Sequence, residues 1–327
     1  MKHHLEAKAR ALNRRIVFPE GEDPRTLEAV GLVLERGTVR PILLGPEHRV
    51  RAEADRIGLA LPHSVSILDP ATSDRATDFA QVLFRRRKER GLSYEDARAL
   101  VRDPLYFGDL LVHLGEADGC VAGATRATAD VVRAALQVIG LAEGSSVVSS
   151  FFLMVLADGR PLTYADCGVV PDPDARQLAS IGIDAANNHA FLTGETPRVA
   201  FLSFSTKGSA DHPHLAKVRE AVAIARGLRP DLPLDGELQF DAAFDADVGA
   251  RKAPGSAVAG QANVFVFPDL NAGNIAYKIT QRIGGAEAYG PILQGLAQPA
   301  NDLSRGATAE DIALVAAITA LQAHGGA

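Results

Sequence analysis

Between Arg14 and Leu68 short apolar runs alternate with helical patterns, and this alternation restricts the fold more than any other feature of the chain. The β-branched run Ile16-Val17-Phe18 ends at Pro19-Glu20-Gly21, and Asp23 then caps a helix with Pro24 in its first position. Leu27, Val30 and Leu34 give that helix an apolar face. Arg40-Pro41-Ile42-Leu43-Leu44 is a second buried strand, ended by Gly45; a helix follows from Pro46 to about Ile57, then a strand at Val65 to Leu68. A β-α-β-α-β order of this kind demands a parallel sheet flanked by helices.

The same reading extends along the chain. Residues 72–90 and 94–114 are helical in pattern, with Pro104 breaking the second stretch. Asp118 to Ala124 is a strand of small residues, which lets a backbone or ligand approach closely. A helix runs from Thr125 to Ile139, and the Gly/Ser turn from Gly140 to Ser146 marks a domain boundary. Beyond it, strands at Val147–Leu156 and Pro161–Val170 flank Asp158-Gly159, a hairpin signal. Further helices are expected at 174–192, 212–228, 271–283 and 309–324, with strands at 198–206, 237–240 and 263–267.

Composition narrows the class. The 327 residues suggest about two domains, and 47% hydrophobic with 23% charged residues is an ordinary globular balance. A net charge of −6 with no long basic block argues against nucleic acid, since the densest run, Arg85-Arg86-Arg87-Lys88, reads as the solvated face of a helix. Cys120 and Cys167 lie far apart in apolar settings, which fits free thiols in the cytoplasm. The polar opening Met-Lys-His-His-Leu-Glu-Ala-Lys is not a signal peptide, and no apolar run has the roughly 20 residues a membrane helix needs.

Chemistry gathers at Asn301–Asp311, where Ser304, Arg305, Gly306, Glu310 and Asp311 fall together. A hydroxyl beside a guanidinium binds anions, and a carboxylate further on takes protons. Read alone, however, Thr308-Ala309-Glu310-Asp311 is the capping pattern of a helix start. Thr125-Arg126, between a strand and a helix, reads either as an anion site or as a plain Thr cap with a solvated arginine. Lys278 is open in the same way, between a phosphate ligand and a solvated helix lysine. The one cluster of aspartates, Asp241, Asp245 and Asp247, is explained most simply by helix starts and surface positions.

Several stretches resemble the phosphate acetyl/butyryltransferase family. They are Ser149–Met154, Tyr164–Pro171, Pro197–Ser209, Asp235–Asp241 and Pro299–Gly306, all after about Asp118. The resemblance implies reversible acetyl transfer between acetyl phosphate and coenzyme A, with coenzyme A as a substrate and no metal or redox cofactor. It implies a fold similar to isocitrate and isopropylmalate dehydrogenases: two α/β domains with a cleft between them holding the site. Domain 1 would span residues 1–144 and 296–327, and domain 2 residues 145–295, through which a homodimer would form. In the catalytic set it implies, Asp311 takes the thiol proton, Ser304 orients the thiol and Arg305 stabilises developing charge. Arg282, Arg133 and Arg87 fall where the family places arginines for coenzyme or phosphate, although Arg85 and Arg86 compete with Arg87. Lys278, Thr125, Ser149 and Ser150 complete the candidates for phosphate. The chain departs from the pattern at Arg90-Gly91, where Lys-Gly is expected, and at Arg126, which is more basic than expected.

Two points of mechanism follow from elementary chemistry. By reference pKa values of about 8.5 for a thiol and about 3.9 for an aspartic acid, outright proton transfer is uphill by about 4.6 units, or about 6 kcal/mol. Proton loss concerted with C–S bond formation avoids that cost, and desolvation of the carboxylate would assist it. A covalent acyl-enzyme is the competing route, but Ser304 has no histidine beside it in the motif and the cysteines have no basic neighbours. A catalytic Asp311 is expected to point away from the helix-start amides, leaving Thr308 to cap alone. Competing functions on this reading are transfer of a longer acyl chain, a metal-dependent dehydrogenase on the same fold, and a regulatory domain such as those fused to malic enzymes.

Overall fold

Five short strands pair in parallel in the first half of the computed structural model, which describes residues 1–325; residues 326–327, where the expected first domain ends, lie outside the described residues. In chain order the elements are α1 (Lys2–Leu12), β1 (Arg15–Phe18), α2 (Pro24–Arg36), β2 (Arg40–Leu44), α3 (Glu47–Arg56), β3 (Ser66–Leu68), α4 (Ala76–Arg87), α5 (Tyr94–Leu100), α6 (Pro104–His113), β4 (Gly119–Ala122) and α7 (Thr128–Val138). The chain returns to this unit after Gly295 with β11 (Ala300–Asp302) and α13 (Ala309–Gly325). Its sheet runs in the order β11-β4-β1-β2-β3, every pair parallel. This unit comprises Lys2–Ala142 and the described residues from Leu296 onward.

Strands β4 and β11 are buried along their whole length. In β4 this is why the strand reads as a run of small apolar residues without alternation, whereas β11, Ala300-Asn301-Asp302, buries two polar side chains and has no strand signal in the sequence. Helix α13 covers them. It is apolar all round, with Ile312 to Gln322 buried. Gly119 accommodates it, since a Cβ there would stand 2.4 Å from Thr319 Cγ2.

Glu143–Gly295 form the other unit. Its elements are β5 (Ser149–Val155), β6 (Pro161–Ala165), α8 (Ala175–Thr193), β7 (Val199–Leu202), α9 (Pro213–Leu228), β8 (Leu234–Leu238), α10 (Phe240–Phe244), α11 (Ala246–Lys252), β9 (Val264–Val266), α12 (Leu270–Arg282) and β10 (Glu287–Gln294). The sheet order is β10-β5-β6-β9-β7-β8. β5 pairs antiparallel with β6 and β10, and the remaining pairs are parallel. Asp158-Gly159 makes the β5–β6 turn, with Gly159 at φ 88°.

The helix starts at Asp23-Pro24 and Asp174 are where the sequence puts them, and the break expected at Pro104 is the start of α6 with Asp103 as its cap; each aspartate accepts from backbone amides. Other elements differ from expectation for identifiable reasons. The sequence reading has no element in place of α1, whose polar composition hides Leu5 and Ala9, one turn apart and both fully buried. It also passes over β10, because Gly290-Pro291 reads as a turn. Pro291 falls at a register shift between Tyr289 and Ile292 on the edge strand, where a missing N–H is tolerated. The strand expected at 198–206 stops at Leu202, since Ser203 and Ser205 close a loop on each other. The strand expected to reach Phe240 ends at Leu238, and Phe240 opens α10 instead.

Candidate functional site

In the first unit the loops after β1, β4 and β11 leave the carboxyl ends of adjacent parallel strands. This is where open α/β sheets bind ligands. The β1–α2 loop contributes Glu20, Asp23 and Arg25, the β4–α7 loop Gly123 to Arg126, and the β11–α13 loop Ser304 to Ala307.

The turn at Thr125-Arg126 is an anion nest, and the anion in it belongs to the chain. Glu20 Oε2 accepts from the amides of Gly123 at 2.9 Å and Ala124 at 2.7 Å. Its Oε1 accepts from the amides of Thr125 at 2.7 Å and Arg126 at 2.9 Å, and from Thr125 Oγ1 at 2.7 Å. The helix behind the turn starts at Thr128 with Ala127 at its N-cap, so Thr125 is not the cap either. Arg126 forks onto Asp103, at 3.1 and 2.8 Å, which accounts for the extra basic residue as an internal ion pair.

Thr125, Ser149 and Ser150, the candidate hydroxyl donors to phosphate, are therefore each otherwise engaged. Ser149 and Ser150 lie fully buried in β5. Ser149 Oγ accepts from Gln294 Nε2 at 3.0 Å, and Ser150 Oγ donates to Asp166 Oδ1 at 2.5 Å. A strand flanked on both sides by others turns both faces into packed layers, and the apparent hydroxyl pair is consumed there.

Within Asn301–Asp311 the roles separate. Asn301 Nδ2 donates to Thr319 and Gln322 on α13, both at 2.8 Å, which fixes the end of β11 to the helix. Glu310 pairs with Arg36 and Lys2, and hydrogen bonds from Arg36 and then Lys2 hold its carboxyl down at about 2. Asp311 turns back onto the helix start: Oδ2 accepts from Thr308 N at 2.9 Å and from Thr308 Oγ1 at 2.8 Å, while Asp311 N donates to Thr308 Oγ1 at 3.2 Å. The expected orientation away from the amides is thus not the one observed; a reciprocal capping box forms because both partners lie in one turn. Both side-chain contacts use Oδ2, and the residue is exposed. Ser304 and Arg305 are exposed as well. Ser304 Oγ accepts from Gly306 N at 3.3 Å, and the Arg305 guanidinium has no partner among the described residues.

Asp302, which the sequence reading passed over, lies beneath this loop. It is 1% exposed, and Thr128 Oγ1 donates to its Oδ2 at 2.6 Å while its Oδ1 has no partner. Burial pushes its carboxyl up to about 6, against the Thr128 hydrogen bond and with Glu20 adding to the rise. Gly123 makes room for it: φ is 104°, and a Cβ would stand 2.4 Å from Asp302 Oδ1. Because the folded pKa lies above the ordinary 3.8, Asp302 lowers stability as pH rises from about 4 to about 6, and the loss stays constant above that range. The shift of about 2 units corresponds to about 3 kcal/mol. Asp302→Asn, which still accepts from Thr128, is expected to recover most of it at pH 7.5 and little at pH 4. Urea unfolding at both pH values reads this, and equal stabilisation at the two would contradict the assignment.

Arg87 and Arg133 share a neighbourhood around Tyr106. The Tyr106 hydroxyl donates to Gln137 at 3.0 Å and is raised by burial, with Arg133 and Arg87 both pulling it down. Arg133 also pairs with Asp130 at 2.6 Å on the surface of α7. Arg86 is instead spent on the Ile139 carbonyl at 3.0 Å and on His113 at 3.2 Å, and burial lowers its pKa. Of the basic run, Arg85, Arg86 and Lys88 are exposed, as a solvated helix face requires, and Arg87, half-buried, is the one that keeps company with Arg133.

In the second unit Lys278 and Arg282 stand one turn apart on the exposed side of α12. Lys278 Nζ donates to Asn274 Oδ1 at 2.8 Å. Asp241 pairs with Lys252 at 2.7 Å and Asp245 caps α11, so these aspartates are spent on local structure. Among the described residues no group of three or more His, Cys, Asp and Glu side chains is disposed to hold a metal ion.

The family described as "Phosphate acetyl/butaryl transferase" matches residues 1–320. A phosphate acetyltransferase of Paracoccus denitrificans is 50% identical over 323 residues, covering 97% of this chain and 98% of its own. The crystal structure of a phosphotransacetylase from Streptococcus pyogenes is 48% identical, covers 98% of this chain and 97% of its own, and superposes with a TM-score of 0.94. A 4-hydroxythreonine-4-phosphate dehydrogenase of Klebsiella pneumoniae, 12% identical with a TM-score of 0.55 over 94% of this chain and 98% of its own, shares the fold alone. With its dehydrogenase-like α/β fold and a match along nearly its whole length, the chain belongs to the phosphate acetyl/butaryl transferase family.

Proposed function

We propose that this chain is a phosphate acetyltransferase, moving acetyl reversibly between acetyl phosphate and coenzyme A by direct attack of the thiol within a ternary complex. The observation that carries the reading is the β11–α13 loop. It offers a hydroxyl, an unpartnered guanidinium and a carboxylate within eight residues, all exposed at the carboxyl edge of the sheet. In this reading Asp311 accepts the thiol proton as the C–S bond forms, Ser304 orients the thiol and Arg305 binds the phosphoryl group. Charge-assisted, bidentate contacts are what an arginine supplies to phosphate. Arg87, Arg133 and Arg282 remain the candidate arginines for coenzyme A or phosphate, and Lys278 a candidate for the phosphate. Coenzyme A is a substrate here, and the reading assigns no metal or redox cofactor.

Direct transfer is favoured over an acyl-enzyme because the thiols are ill placed for nucleophilic attack. Cys120 and Cys167 are both buried, and burial raises both thiols well above their ordinary value. Asp109 beside Cys120 raises it further, and this carboxyl is itself pushed up to about 8 by burial. A cytoplasmic location, supported by two unpaired cysteines and by the lack, among the described residues, of a helix able to cross a membrane, belongs to the same reading. The acetyl preference rests on relatives such as the Paracoccus enzyme.

The test is thiol consumption with acetyl and butyryl phosphate in the presence of a chelator. Intersecting initial-rate lines, a preference for acetyl phosphate and no acetyl on Ser304 or Cys120 in acid-quenched peptides are expected. Parallel lines, a chelator-sensitive rate or a butyryl preference would overturn the corresponding part.

We also propose a homodimer formed through the second unit. Ile275, Ile279 and Ile283 make an i, i+4, i+8 stripe along α12, exposed by 57%, 53% and 84%. Large apolar side chains aligned on one exposed face mark an interaction surface. Ile279→Asp is expected to halve the mass measured by size exclusion with light scattering; an unchanged mass would rule this face out.

A further inference from the structure

The β1–α2 loop reaches the β11–α13 loop through one side chain, Arg25. All five of its N–H groups are used. Nε and Nη2 fork onto the Asp23 carboxylate at 3.2 and 3.1 Å. Nη2 also donates to the Ala124 carbonyl at 2.7 Å, and Nη1 to the carbonyls of Arg305 at 2.7 Å and Ala307 at 3.4 Å. Asp23 is itself fixed, since it accepts from the amides of Arg25 and Thr26 as the cap of α2. Arg25 therefore holds the main chain of Arg305 while leaving the Arg305 guanidinium unpartnered.

Little else holds that loop. Ala307 N donates to the Ser304 carbonyl at 2.8 Å and Gly306 N to Ser304 Oγ at 3.3 Å, both within the loop itself. Leu303 N reaches the Ala122 carbonyl at 2.7 Å, but that anchors the strand end before the loop begins. Among the described residues, the hydrogen bonds from the stretch between Leu303 and the helix start at Thr308 to the rest of the unit come from Arg25.

We propose that Arg25 is a positioning residue for the acetyl-transfer reaction, a planar five-donor clamp that sets the main-chain path of Ser304 to Ala307. It acts through the loop and not on substrate. The inference rests on the proposal that Ser304 and Arg305 carry the chemistry. A lysine preserves the charge of Arg25 but cannot span Asp23, the Ala124 carbonyl and the Arg305 carbonyl at once, because it lacks the fork. A displacement of about 1 Å at reacting groups costs on the order of 100-fold in rate.

The experiment compares Arg25→Lys, Arg25→Ala and Asp23→Asn with the wild-type chain by steady-state kinetics and by amide hydrogen exchange. Asp23→Asn keeps an N-cap side chain while weakening the fork, and it serves if Arg25→Ala fails to fold. Expected are kcat losses of about 10- to 100-fold in both Arg25 variants. The KM values should stay within about threefold, and exchange should be faster only in peptides covering 303–308 and 123–126. Partial rescue of Arg25→Ala by added methylguanidine would support the clamp. Wild-type kcat in Arg25→Lys, or a rise in KM at unchanged kcat, would overturn it in favour of a charge that binds substrate. Unchanged exchange at 303–308 would overturn it as well. If the wild-type chain transfers no acetyl group at all, the proposed function fails, and exchange still decides whether Arg25 holds the loop.

Discussion

Asp311→Asn is expected to lower kcat by about two to four orders of magnitude, the range a general base contributes, with the coenzyme A KM changed by less than about threefold. The capping box makes this substitution informative. Asparagine still accepts from Thr308 N and Thr308 Oγ1 in place of the carboxylate oxygen that now does so at 2.9 and 2.8 Å. Asn and Asp serve helix starts about equally well, so the melting temperature is expected to stay nearly constant while proton acceptance is lost. Thr308→Ala is the reciprocal control. It removes the acceptor of the Asp311 amide at a cost of about 1 kcal/mol and leaves the carboxylate in place. Lower stability with near-normal turnover is the expected result. Steady-state kinetics and thermal unfolding on both variants separate the two roles. Near-normal turnover in Asp311→Asn would remove the residue from the chemistry and leave it as a cap.

Arg305→Ala is expected to cost about 100- to 1000-fold in kcat, the loss typical of removing one donor aimed at developing charge. The side chain has no partner among the described residues, and its carbonyl is held independently by Arg25, so the fold should not register the change. Arg305→Lys should recover part of the activity, since an ammonium supplies charge without the bidentate fork. The readouts are kcat, the KM for acetyl phosphate and inhibition by inorganic phosphate, which should weaken in parallel. Turnover close to wild type would shift the phosphoryl contact to Arg87 and Arg133 or to Lys278 and Arg282.

The contrast between Asp311 and Asp302 shows how far residue types and spacing carry. Asp311 stands in a local pattern, three residues after Thr308, and both of its readings are visible in sequence. Asp302 stands in the same stretch with nothing to mark it. Its importance comes from Thr128 and Glu20, which the sheet brings beside it from far away in the chain. The Thr125-Arg126 turn behaves likewise. Its geometry as an anion nest is local, but the anion is Glu20, about a hundred residues earlier. Arg25 gave no sign of its role beyond following a capping Asp-Pro pair.

What the sequence determined by itself is whatever depends on neighbours within a turn or two. The β-α alternation, the helix starts at Asp23-Pro24 and Asp174, the break at Pro104 and the Asp158-Gly159 hairpin all rest on dihedral preferences and on hydrogen bonds a few residues long. Tertiary structure alone decided which polar groups remain available. Ser149 and Ser150 are buried in β5, Glu20 fills its nest and Arg86 is spent on Ile139, whereas the Arg305 guanidinium stays unpartnered. A hydroxyl or a guanidinium has the same chemistry wherever it falls in the chain. Whether it meets substrate or an internal partner is set by burial and by contacts between residues that only the folded sheet makes adjacent.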